Sequence, residues 1–67
     1  MNITLNDKNI ELPGNCLTIQ DLLQHQGIMT AGTAVSVNDR IVRHADWPRT
    51  GLAEGDRVVI ISAAFGG

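Results

Sequence analysis

The chain opens on alternation. In NITLND, residues 2–7, Ile3 and Leu5 point to one side while Asn2, Thr4 and Asn6 point to the other, which is the period of a half-buried strand. Asn6, Asp7, Lys8 and Asn9 are a run of turn formers. KNIEL, residues 8–12, then alternates again with Ile10 and Leu12 on one face. The two runs predict an N-terminal β-hairpin, ended by Pro13-Gly14-Asn15.

The period then changes. In TIQDLLQHQG, residues 18–27, Ile19, Leu22 and Leu23 share one helical face, and Gln20, Gln24 and His25 fall elsewhere. Thr18 followed three residues later by Asp21 resembles a capping box. Gly27 suits the left-handed residue that closes a helix. A helix of roughly two turns is expected. AVSVNDRIV, residues 34–42, returns to alternation, with Val35 and Val37 inward, Ser36 outward, a turn at Asn38-Asp39 and a short strand resuming at Ile41-Val42. RHADWPRTGLAEGD, residues 43–56, reads as irregular, punctuated by Pro48, Gly51 and Gly55. Its end, Ala53 to Asp56, is a turn into RVVIISAAF, whose Val-Val-Ile-Ile core is a strong strand signal.

The order is strand, strand, helix, strand, short strand, loop, strand. The helix must cross the sheet and pack on one face of it, and the last strand inserts beside the first, in parallel. This predicts an α+β fold: a mixed four- to five-stranded sheet cupping one main helix, the β-grasp or ubiquitin-like architecture. Sixty-seven residues form one such domain, residues 1–67, with residues 64–67 expected as a flexible C-terminal tail. A chain of this size buries only about 60 % of the surface its unfolded form exposes, which argues against a deep substrate cavity.

The last strand is apolar on both faces, Val58 and Ile60 to one side and Val59 and Ile61 to the other. Only one side can face the helix. The second is either an ordinary apolar part of the surface or a docking patch for a partner. The adjacent Ala64 and Phe65 favour the docking reading, with Val59 and Ile61 as its residues.

Composition narrows the function. The net charge is −2, with five scattered cations and no basic stripe, so no nucleic-acid partner is expected. No basic-then-apolar leader and no membrane-length apolar run occurs, and a cytoplasmic protein with no membrane partner is the default. The single cysteine, Cys16, cannot form an internal disulfide; without a neighbouring His or Lys in sequence it reads as a small buried residue rather than a reactive thiol. Cys16, His25 and His44 lack metal-ligand spacing, so no metal site is expected. His44 and Asp46 could be imagined as a base and its orienter but read as solvated loop residues. No phosphate-binding loop and no nucleophile elbow is present, so no catalytic residues are assigned and no bound cofactor is expected.

A ubiquitin-like order of elements, "GD" before an apolar last strand, "LTIQDLL", "AVSVNDRIV", Trp47 and a final Gly66-Gly67 together resemble the ThiS family, the sulfur carriers of thiamine biosynthesis. The resemblance covers the whole chain. It implies a protein cosubstrate rather than an enzyme. A ThiF-type activating enzyme would use ATP to adenylate Gly67, a sulfur donor would replace the AMP to leave a thiocarboxylate, and a ThiG-type thiazole synthase would take the sulfur. Ala64, Phe65 and Gly66 would form the tail threaded into the partners' active sites. The physical fit is direct: a carboxylate needs activation before it accepts sulfur, and glycines without Cβ atoms can pass a narrow channel.

Other readings compete. The small subunit of molybdopterin synthase shares the fold and tail. A protein-tagging modifier is disfavoured, because Lys8 is the only lysine available for chain building. A plain interaction module would carry Gly-Gly by accident, since terminal glycines are often unstructured or added ends; here they follow a β-grasp last strand, which favours the carrier.

Overall fold

A computed structural model describes residues 1–62; the expected tail, 64–67, lies outside the described residues. Five strands, one α-helix and one 3-10 helix follow in order: β1 Asn2–Leu5, β2 Lys8–Glu11, α1 Ile19–Gln26, β3 Thr33–Val37, β4 Arg40–Val42, the 3-10 helix His44–Arg49, and β5 Arg57–Ser62. The sheet order is β2-β1-β5-β3-β4. Both hairpins are antiparallel, and β5 lies centrally, parallel to β1 and antiparallel to β3. This is the mixed β-grasp sheet that the alternation predicts, and all five strands are present.

The hairpins turn more tightly than a loose run of turn formers suggests. Leu5 pairs with Lys8 and Val37 with Arg40, so each loop has two residues. Both are Asn-Asp, and all four residues have positive φ, between 50° and 71°. That is the backbone of the primed turns whose twist matches paired strands, and Asn and Asp tolerate it better than most side chains.

The helix is closed as its sequence indicates. Asp21 N–H donates to Thr18 Oγ1 at 3.1 Å, and Asp21 Oδ2 accepts from the N–H groups of Thr18 at 3.1 Å and Leu17 at 3.0 Å. These bonds satisfy donors that a helix start leaves open. Gly27, at φ 69°, ends the helix in the left-handed conformation. Ile19, Leu22 and Leu23 are fully buried against Ile3, Val35, Val58 and Ile60 of the sheet. The inner face of the sheet and the apolar face of α1 therefore share one core.

The segment read as irregular contains the 3-10 helix, and its Trp47 is a core residue. A six-residue 3-10 helix has too few turns to show a period. Its i, i+3 side chains eclipse, and the His44 ring duly lies over Trp47 with centroids 4.4 Å apart. Trp47 Nε1–H donates to the Val42 carbonyl at 3.0 Å, so the indole is buried with its polar atom satisfied.

Candidate functional site

The candidate site is the outer face of β5 and the strand's exit toward Gly67. On the inner side Val58 is fully buried and Ile60 is 8 % exposed. On the outer side Val59 is half-buried and Ile61 is 62 % exposed. The two faces thus fall as the alternation assigns them. The expected tail residues Ala64, Phe65, Gly66 and Gly67 lie outside the described residues.

The structure adds a residue to this face. Ser36 pairs with both Val59 and Ile41, and Ala34 pairs with Ile61. Directly opposed residues share a face of the sheet, so Ile41, Val59, Ile61 and Ala34 lie on one side across three strands. Ile41 is 78 % exposed. The sequence marks Ile41-Val42 only as a short strand; it is the register, with Val42 opposite the inward Val35, that turns Ile41 outward. Arg57, on the same face at the start of β5, forms an ion pair with Asp39.

Elsewhere the structure separates candidate chemistry. His44 packs on Trp47, while Asp46 pairs with Arg49 at 3.8 Å and its carbonyl accepts from Thr50 Oγ1; a base with its orienter is not what these contacts describe. Cys16 is buried and lines a recess of about 270 Å³ with Pro13, Asn15, Asp21, Gln24 and His25. Folding therefore brings a histidine to the same recess, which the sequence order did not suggest. Burial first, and the Asp21 carboxylate second, push the Cys16 thiol above its ordinary pKa, the opposite of what a nucleophile needs. Among the described residues no cluster of three His, Cys, Asp or Glu side chains could hold a metal ion. Among the same residues no helix is long and apolar enough to cross a membrane.

A β-grasp domain whose central strand is apolar on its outer face and leads in sequence to two glycines belongs to the ubiquitin-like class. The comparison with protein families is more specific: residues 3–67 match the ThiS family, and the chain belongs to that family. It is similar to the crystal structure of a thiamine biosynthesis protein (ThiS) from Geobacter metallireducens, at 26 % identity and a TM-score of 0.84, with all of both chains covered. An NMR solution structure of a thiamine biosynthesis protein from the same organism is similar at 25 % identity and a TM-score of 0.81, covering all of this chain and 88 % of that one. No curated protein sequence matches the chain.

Proposed function

We propose that the protein is a sulfur carrier of thiamine biosynthesis, acting as a cosubstrate rather than as a catalyst. The observation that carries the reading is the family match, which runs from residue 3 through Gly67 over a complete β-grasp sheet. The Gly67 carboxylate attacks the α-phosphate of ATP in a ThiF-type enzyme, and pyrophosphate leaves. Sulfur at the sulfide level, as HS⁻, then attacks the acyl carbon and AMP leaves, which gives a thiocarboxylate for a ThiG-type thiazole synthase. ATP belongs to the activating partner. The chain's own work is to dock through Val59, Ile61 and Ile41 and to present Ala64 to Gly67. Adenylation makes the acyl carbon electrophilic, and glycine lets the backbone pass where a Cβ would clash.

The test is intact-protein mass spectrometry after incubation with ATP, a ThiF-type enzyme and a sulfur source. The expected product has one oxygen replaced by sulfur, localised to Gly67, and a chain extended by one residue beyond Gly67 stays unmodified. An unmodified mass for the chain ending at Gly67, or activation of the extended chain, overturns the reading.

A further inference from the structure

Asparagine side chains hold β5 at two points. At its start, Asn38 Oδ1 accepts from Arg57 N–H at 2.9 Å, and Asn38 Nδ2 donates to Asp56 Oδ1 at 3.0 Å. Further along, Asn6 Oδ1 accepts from Ile60 N–H at 2.8 Å and Asn6 Nδ2 donates to the Ile60 carbonyl at 3.2 Å. Both asparagines are the first residue of an Asn-Asp turn and have nearly the same φ, 50° and 51°. The two clamps are alike in chemistry and differ in what they hold.

β1 ends beside β5 at Leu5, which pairs with Val58. Asn6 N–H still donates to the Val58 carbonyl at 2.9 Å, and then the chain turns away. β5 runs on for four more residues, Val59 to Ser62. Its pairing with β3 continues through Thr33 and Ser62. In an antiparallel pair, alternate residues turn their peptide groups away from the partner strand. Ile60 is such a residue, and the Asn6 carboxamide receives both of its peptide groups. A carboxamide carries a donor and an acceptor, so Asn6 adds one rung to a ladder whose main chain has already departed.

The geometry points to Asn6 as a positioning residue for the activation of the Gly67 carboxyl; this rests on the carrier reading above. Ile60 lies between Val59 and Ile61, and Gly67 follows it by seven residues. The clamp therefore fixes the backbone that sets both docking side chains and the point from which the remaining residues start. Without it, the peptide planes around Ile60 gain freedom that the partner must remove on docking.

Asn6→Gly removes the carboxamide and keeps a residue that accepts positive φ. Asn38→Gly is the control, because it removes a carboxamide with two hydrogen bonds from the other end of β5, at the same position of the same kind of turn. Pyrophosphate exchange into ATP by a ThiF-type enzyme is measured against carrier concentration at 25 °C, with folding of each variant verified by NMR. Asn6→Gly is expected to lower kcat/KM about tenfold, the factor that ordering about one residue's backbone represents. The loss falls on KM, with kcat nearly unchanged, since a docked chain has already been ordered. Asn38→Gly is expected to keep the wild-type KM.

An Asn6→Gly KM equal to wild type overturns the proposal and leaves the carrier reading standing. Equal losses in the two glycine variants also overturn it, since they reduce Asn6 to general support of the fold. Absence of carrier-dependent exchange with the wild-type chain overturns the carrier reading, and the proposal falls with it.

Discussion

Along β5 the same kinds of side chain meet two different surroundings. Val58 and Ile60 pack against Leu22, Leu23 and the rest of the core, whereas Ile61, one residue on, stands open beside Ala34 and shares its face with the exposed Ile41. β-branched residues suit a strand on either face, so strand propensity explains neither the difference nor the cost of leaving Ile61 and Ile41 exposed. The helix explains the inner face. The outer face adds nothing comparable to folding, and its side chains are free to serve recognition. Stability and partner binding should therefore separate by face.

The largest effects are expected on the inner side. Trp47→Ala should cost about 3–5 kcal/mol and Ile60→Ala about 2–5 kcal/mol, by lost burial and a residual cavity. Each is a large share of a small domain's total stability. Ile61→Ala should stay within about 0.5 kcal/mol, as for an ordinary surface change. Urea denaturation of the three variants checks this. A loss at Ile61 as large as that at Ile60 would break the contrast and show that the outer face belongs to the fold.

Next come charges on the outer face. Val59→Asp, Ile61→Asp and Ile41→Asp each place a carboxylate in the proposed docking patch. At the exposed Ile61 and Ile41, folding should persist while the affinity for a ThiF-type enzyme falls about tenfold or more, the loss typical of a buried apolar anchor. Titration calorimetry against that enzyme, with far-UV circular dichroism of the free variants, reads both halves. Val59 is half-buried, so its variant should lose some stability as well. Ile41→Asp is the sharpest of the three, because it lies two strands away from β5 and tests the extent of the patch rather than the strand.

Much of this contrast was legible in the sequence. Alternation set the strands, and the split of Val58 and Ile60 from Val59 and Ile61 follows directly from a period of two. Thr18, Asp21 and Gly27 bounded the helix because capping chemistry is local. What alternation does not carry is lateral placement. Ile41 joins Val59 only through Ser36 and the register of β4 on β3 and β3 on β5. Asn6 and Ile60 are 54 residues apart, and nothing local to either announces their pairing. Trp47 was similarly hidden, since its burial depends on a short 3-10 helix and on a hydrogen bond back to Val42.

The smallest effect concerns the cover of the inner face. The N–H groups of Leu17 and Thr18 donate to the Asp21 carboxylate, and these bonds hold its pKa below the ordinary carboxylate value. A carboxyl whose pKa is lower in the folded state stabilises the fold above its unfolded pKa. That contribution is lost as pH falls through the folded value. The capping bonds at the start of α1 should therefore weaken below about pH 4. Asp21→Asn keeps a side-chain oxygen but cannot titrate, so its stability should be lower than wild type at neutral pH and decline less on acidification. Thermal denaturation from pH 6 to pH 3 reads the difference in slope. Parallel curves for the two proteins would mean that Asp21 contributes no charge-dependent stability. A narrowing gap as pH falls would place the acid-sensitive element at the helix that covers the inner face, with the exposed outer face untouched by the same titration.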